Sequence, residues 1–352
     1  HRPYKKGGVS RMVPAPTPAC TRCGLCAARC PVGTIDPQDP GRVNADACLC
    51  CMRCVAVCPH GARRVDAALL AALGEKLGAC KAARRGLPAQ GGILVIISAS
   101  RRTDIPRFFS AWFFRRLQER FVLVRNPMNP RRISRVSLDP VVVDGLVLWT
   151  KDPTPMLGGL AALDPYAYYF KLTLTAYGPE VEPRLHPKAE GVIPAFRRLA
   201  DRIGPDRVIW RYDPIFLSAR YSADFHRRSF ESLARQLAPH TRQCIISFLD
   251  EYRNTRRNMA GLSLQPFGPE QQRALAADLA AIARGFGLAV NTCAEALDLS
   301  DCGVGHAHCI DGALLSRLAG CPLDLRRDPG QRPACGCVQS IDIGTYDTCP
   351  GG

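Results

Sequence analysis

Between residues 93 and 320 the chain alternates two hydrophobic periods. Runs rich in β-branched and aromatic residues, ILVIISAS (93–100), GLVLWT (145–150), YYFKLTLT (168–175), RVIWRYDP (207–214), CIISFLD (244–250) and LAVNTCAE (288–295), predict strands. Segments with apolar residues three or four apart predict helices between or after most of them: FFSAWFFRRLQERF, IPAFRRLADRIG, FHRRSFESLARQLA, PEQQRALAADLAAIARGFG and DGALLSRLAG. Strand–helix units repeated in this way argue for a parallel sheet covered by helices. VLVRNPMNP and RRISRVSL (122–138) read as a hairpin inserted after the first unit. Six or more units in about 230 residues suit a β/α barrel better than an open sheet. The expected class is α/β, a TIM-like barrel, complete or partial, over residues 91–352. No GxGxxG follows the first strand, so a dinucleotide site has no support.

Ahead of the barrel the periodicity changes. DAALLAALGEKLGACKAARRG has helical composition and LPAQGG breaks it, which makes 66–90 a helical linker. Residues 1–15 are basic and proline-bearing without periodicity, a linker or the remnant of an upstream domain such as a flavin domain. The stretch between, 16–65, is organised by cysteine. CTRCGLCAARCP (20–31) and CLCCMRCVAVCP (48–59) carry one pattern, CxxCxxCxxxCP, twice. Three closely spaced thiolates cup one face of a cubane cluster, and the fourth cysteine reaches the other cluster. On that crossed scheme Cys20, Cys23, Cys26 and Cys58 hold one [4Fe-4S] cluster, while Cys48, Cys51, Cys54 and Cys30 hold a second. Zinc is the competing reading, but zinc ribbons use two pairs rather than two runs of four ending in proline. Cys50 is the odd thiol of the second run and has no assigned role.

In β/α barrels the carboxyl ends of the strands line the active site. Here those ends carry charge: Arg101 and Asp104, Lys151, Arg211 and Asp213, Asp250, and Glu295. Arg and Lys beside carboxylates make a mouth suited to an anionic or zwitterionic ligand, with the carboxylates able to bind an amine or ribose or to move protons. Salt-bridged loops are the bland alternative. Four later thiols, Cys293, Cys309, Cys335 and Cys337, converge if the C-terminal segment folds back over the mouth, giving a third metal site, cluster or zinc. Cys80, Cys244, Cys302 and Cys321 read as small apolar side chains, and His306 and His308 as loop residues.

Composition narrows the classes. The 352 residues are 47% apolar, enough to bury a sizeable core and to exclude disorder. The aliphatic runs fall far short of the roughly 20 residues that span a bilayer, and no signal peptide is visible, so a soluble, cytoplasmic protein with no membrane partner is expected. Eighteen cysteines in CxxC-type spacing favour metal over disulfides. The formal charge of +16 falls by about four if two cluster sites each carry about −2, and the basic remainder keeps a nucleic acid among the candidate partners.

Two resemblances add to this. The eight cysteines of 20–58 match the ligand pattern of bacterial-type two-cluster ferredoxins, which implies a small α+β domain passing single electrons at low potential, with a flavodoxin or a reductase as donor. At ISASRRTDIP, VLVRNPMNP, VSLDP, LWTKDP, VIWRYDPI, SFLD, TCAE, CID and CGCVQSIDIGTYDTC, the body resembles an uncharacterised bacterial family whose members look like relatives of radical S-adenosylmethionine (SAM) enzymes. Such members carry CxxxCxxC near the C-terminus, three thiolates for a [4Fe-4S] cluster whose open iron takes the amino and carboxyl groups of SAM. Cys349 with Pro350, Gly351 and Gly352 fits the first cysteine and its spacers, and the second and third positions lie past Gly352. The resemblance implies an iron-sulfur oxidoreductase acting on an unknown small molecule or macromolecule. The alternative is an electron-transfer protein relaying electrons to a partner without radical chemistry.

Overall fold

The computed structural model describes residues 13–48, 53–68, 95–129, 131–249, 259–293, 295, 297–323, 325–332 and 335–351. The expected linker helix over 66–90 lies almost wholly outside them. In the N-terminal segment, β1 (Ala15–Pro16) pairs antiparallel with β2 (Arg63–Arg64), closing the chain around the short helices α1 (Leu25–Ala28) and α2 (Arg53–Ala56). Its apolar cluster is small: Ala27, Ile35 and Cys54, joined by Cys26, Cys30, Val43 and Val55. Sulfur-bearing side chains therefore form much of what holds this segment together.

The body is built on one sheet. Its strands are β3 (Ile96–Ala99), β6 (Gly145–Thr150), β7 (Tyr168–Thr173), β8 (Val208–Ile215), β10 (Gln243–Phe248), β12 (Ala289–Thr292), β13 (Gly305–His306) and β14 (Ile341–Asp342). All six expected strands form. The order across the sheet is β14, β3, β6, β7, β8, β10, β12, β13, and every neighbouring pair is parallel. The order is sequential except that the last strand returns beside the first, as barrel closure would require. Among the described residues no ladder joins β13 to β14, so the sheet stays open at that seam. The expected hairpin is β4 (Phe121–Arg125) against β5 (Ile133–Ser137), paired antiparallel along its length, and a second short pair sets β9 (Leu217–Ser218) against β11 (Leu264–Gln265).

The strands read as near-continuous apolar runs because both faces are covered. Alternate residues then separate two interiors. Ile97, Leu146, Leu148, Phe170, Val208, Trp210 and Ile246 face the helices, where Phe113 of α4 (Ser110–Glu119), Phe196 of α5 (Ile193–Ile203), Phe230 of α6 (Ala223–Leu237) and Leu279 of α7 (Pro269–Gly285) join them. The intervening residues Ile96, Val147, Trp149, Tyr169, Ile209 and Ile245 face the other way and are covered by Leu314 and Leu315 of α8 (Gly312–Ala319) with Cys335, Cys337 and Val338. Helix α8 starts where the Asp311 carboxylate accepts the Leu314 amide (2.9 Å) and stops at Gly320 in the left-handed region. It lies so close to the sheet that a Cβ on Gly145 would sit 2.7 Å from Leu315 Cδ2. No helix among the described residues is long and apolar enough to cross a membrane.

Candidate functional site

Cys20, Cys23, Cys26 and Cys58 line one hollow, with Pro40, His60 and Arg63 among its walls. Cys58 comes from the second repeat and the other three from the first. Short turns aim the sulfurs: Gly24 adopts the left-handed conformation between Cys23 and α1, and the Ala62 amide donates to Cys58 Sγ (3.3 Å). Arg63 is the charged wall. Its Nη1 donates to Pro40 O (2.7 Å) and lies 3.8 Å from Cys26 Sγ, while its buried Nε and Nη2 find no acceptor among the described residues. A buried guanidinium with orphaned donors beside four thiols suits an anionic occupant, and a cubane held by four thiolates, at about −2, is one. Of the second predicted set, Cys30 packs against the Cys54 cluster and accepts from the Thr34 amide (3.4 Å). Cys51, like Cys50 and Cys80, falls outside the described residues.

On the concave face, away from the outer helices, three sulfurs meet. The Sγ atoms of Cys293, Cys309 and Cys337 all lie within 4.8 Å of one another, a group that could hold a metal ion. Cys293 and Cys309 are 2.7 Å apart, and Cys335 Sγ lies 2.9 Å from Cys337 Sγ. The hydrogen bond from Cys293 holds the Cys309 thiol well below the ordinary cysteine range, helped by Lys171 and Arg211, while Cys293 is driven up in exchange. One strand supports the loop that carries Cys309. Tyr169 Oη donates to Cys309 O (3.2 Å), and two residues on, Lys171 Nζ donates to His308 O (2.9 Å). Lys171 and Arg211 both lie over Trp149, 5.4 and 5.1 Å from the ring centre. Trp149 Nε1 and Arg211 Nε are buried donors with no acceptor among the described residues. Of the other thiols, Cys244 is a buried apolar residue of the outer core.

The charged strand ends separate into four groups. Arg101 donates its amide to Asp342 (2.8 Å), and that carboxylate also accepts from the Ser98 and Ser100 hydroxyls (3.0 and 2.5 Å) and the Gly344 amide (3.0 Å). Asp104 caps α3 (Ile105–Phe108) through the Arg107 amide (3.0 Å) and accepts the Lys151 amide (2.8 Å); burial pushes its carboxyl up to about 6. The Lys151 ammonium turns to Glu182 (2.8 Å), which also accepts from Lys188 (2.5 Å) and Thr175 (2.8 Å). Burial works against the Glu182 charge, yet the two ammonium groups leave it below the usual carboxylate range. Arg211 pairs with Asp213, which also accepts from Ser247, and burial raises the Asp213 carboxyl. Glu295 accepts the Phe248 amide (2.9 Å). Asp250 lies outside the described residues. Cys349 follows β14 in a segment anchored by Arg184, whose Nη1 donates to Pro350 O (2.8 Å), and by Gly351 against Phe108.

Residues 96–352 match the model of a family described as a domain of unknown function, DUF1848. The chain belongs to that family. No curated protein matches it. Among solved structures, a Bacteroides thetaiotaomicron protein proposed to be an alpha-L-fucosidase aligns over 67% of this chain and 89% of its own, at 12% identity and a TM-score of 0.26, a likeness too slight to carry any argument. Within the DUF1848 portion, sequence reasoning missed Asp342, Glu182 and Lys188. Asp342 lies inside SIDIGTYDTC, a stretch whose length already marked it. Glu182 and Lys188 sit in a polar loop with no periodicity, and only their meeting with Lys151 distinguishes them.

Proposed function

We propose that this DUF1848 member is an iron-sulfur oxidoreductase of radical-SAM-like type. Its N-terminal cysteines hold two [4Fe-4S] clusters that feed low-potential electrons to the mouth of the sheet, where SAM and an undefined substrate bind. The observation that carries the reading is the hollow lined by Cys20, Cys23, Cys26 and Cys58, with Arg63 donors in its wall that find no acceptor among the described residues. When bound, such clusters supply single electrons, and one at Cys349 would present an open iron to SAM.

The remaining roles belong to side chains. Arg101 and Arg102, each with its Nε 3.9 Å from Asp342, sit at the carboxyl end of β3 beside the segment that leads to Cys349. They suit the carboxylate of a zwitterionic ligand. Lys151, 43% exposed, offers a second cation, and Glu182 fixes its direction. The buried donors Trp149 Nε1 and Arg211 Nε favour an acceptor-rich ligand on the concave face. One observation favours the electron-relay alternative: Asp104, Asp213 and Glu295 are each engaged in internal hydrogen bonds, which leaves less carboxylate chemistry for a substrate.

The test uses protein expressed from the complete reading frame, reconstituted anaerobically and reduced with dithionite in the presence of SAM. Release of 5′-deoxyadenosine is expected. A protein that holds its clusters, exchanges electrons with a flavodoxin and leaves SAM intact contradicts the radical reading and supports the relay.

A further inference from the structure

The concave thiols have a geometry of their own. A tetrahedral ion bound at about 2.3 Å to each sulfur holds them about 3.8 Å apart. A cubane attaches each thiolate to a different iron and spreads them wider. Cys293, Cys309 and Cys337, all within 4.8 Å of one another, lie closer than a cubane would spread them; Cys293 and Cys309 at 2.7 Å, and the buried Cys335 and Cys337 at 2.9 Å, need to part by only about 1 Å to take the single-ion spacing.

Where these cysteines sit in the chain is equally informative. Cys293 follows the end of β12. Cys309 comes three residues after the edge strand β13, and Cys337 four residues before the opposite edge strand β14. The seam that no ladder closes is thus flanked on both sides by the thiols. There the chain leaving β13 meets the chain approaching β14: the Val338 amide donates to Ile310 O (3.3 Å), and the Ile310 amide donates to Cys337 Sγ (3.4 Å). An amide aimed at a sulfur is the support that a metal-bound thiolate uses.

Charge supplies an independent observation. Lys171 is 1% exposed, and its ammonium donates to a backbone carbonyl, with no carboxylate paired to it among the described residues. A buried cation needs a counter-charge. Three or four thiolates around a divalent ion carry a net charge of about −1 or −2 and provide it.

We infer that Cys293, Cys309, Cys335 and Cys337 bind one redox-inert divalent ion of the zinc class. The ion is a staple that closes the sheet between β13 and β14 by coordination where no ladder joins them among the described residues. Sulfur-only ligation and burial make the site structural, with no position open to substrate. The inference is independent of the N-terminal clusters. By fixing the approach to β14 it also holds Asp342 against β3.

The experiment measures zinc by mass spectrometry in the full chain after dialysis against EDTA, with Cys293→Ser and Cys335→Ser beside it. About one zinc per chain is expected in the parent, falling at least about tenfold in Cys293→Ser, with Cys335→Ser intermediate. The parent loaded with Co2+ is expected to show the intense visible bands of tetrahedral thiolate coordination. A parent that retains no zinc and takes up no Co2+ in that geometry overturns the inference, whether or not the variants fold. Acid-labile sulfide lost with Cys293 overturns it as well, since that marks a cluster.

Discussion

The two sulfur sites contrast in what surrounds them. In the N-terminal segment the hollow of Cys20, Cys23, Cys26 and Cys58 sits on an apolar cluster of a few residues, several of them cysteines. In the body the thiols of Cys293, Cys309 and Cys337 lie between a sheet and α8, beside an outer core that runs the length of four helices. Small units that cannot bury enough apolar surface depend on metal to fold, whereas a large core folds largely without it. The same element therefore does different work in the two places. On the proposed reading a cluster supplies most of the folding energy of the first, and an ion in the second joins two edges of a structure already held by burial.

The comparison can be broken from either side. The largest effect is expected from Cys58→Ser, which removes the proposed crossing ligand. The N-terminal segment should lose a cluster and become open to limited proteolysis, while the body stays resistant with unchanged thermal unfolding. Protection of residues 13–68 in that variant would show that the segment stands without its cluster.

A smaller loss is expected in the body. Glu182→Gln strips the counter-charge from Lys188 and Lys151 and should cost about 3 kcal/mol in denaturant unfolding, without loss of the fold. Lys188, the less exposed of the two ammonium groups at 20%, carries most of that cost. A loss below about 0.5 kcal/mol would mean that solvent replaces the pair freely.

Smaller again is a pH effect at Asp104. Its carboxyl is raised from 3.8 to about 6 by burial, so the folded state binds the proton more tightly than the unfolded chain does. Stability from this group is fully present below about pH 4 and is lost as the pH rises to about 6, at most about 3 kcal/mol. Asp104→Asn keeps one oxygen for the Arg107 amide and sets a nitrogen against the Lys151 amide, so it should lower stability at every pH while flattening that part of the pH profile of unfolding. An unchanged profile would assign the slope to other groups.

The body was legible where the signal was local. Strands such as GLVLWT and YYFKLT are apolar on both faces, and α6 and α7 carry long amphipathic periods, so their existence and type could be read directly. Strands β13 and β14 have two residues each, too few for any period, and β14 pairs with β3 across more than two hundred residues. The seam of the sheet was therefore invisible in the sequence. The same distance hid Asp342, which serves Ser98, Ser100 and Arg101 from the far end of the chain. Of the cysteines that line the N-terminal hollow, Cys20, Cys23 and Cys26 are close together in the sequence, so their meeting was legible, whereas Cys58 comes from the second repeat. The concave thiols were suspected from a strand end and a CGC, but which three sulfurs meet depended on how α8 and the segment before β14 pack against the sheet.

Acid-labile sulfide, compared between Cys58→Ser and Cys293→Ser in anaerobically prepared full chain, tests most directly that the two sites hold different chemistry. The account predicts that Cys58→Ser loses about four sulfides per chain while Cys293→Ser loses none and gives up one zinc. Equal sulfide loss in both variants, or sulfide unchanged in Cys58→Ser, would contradict it.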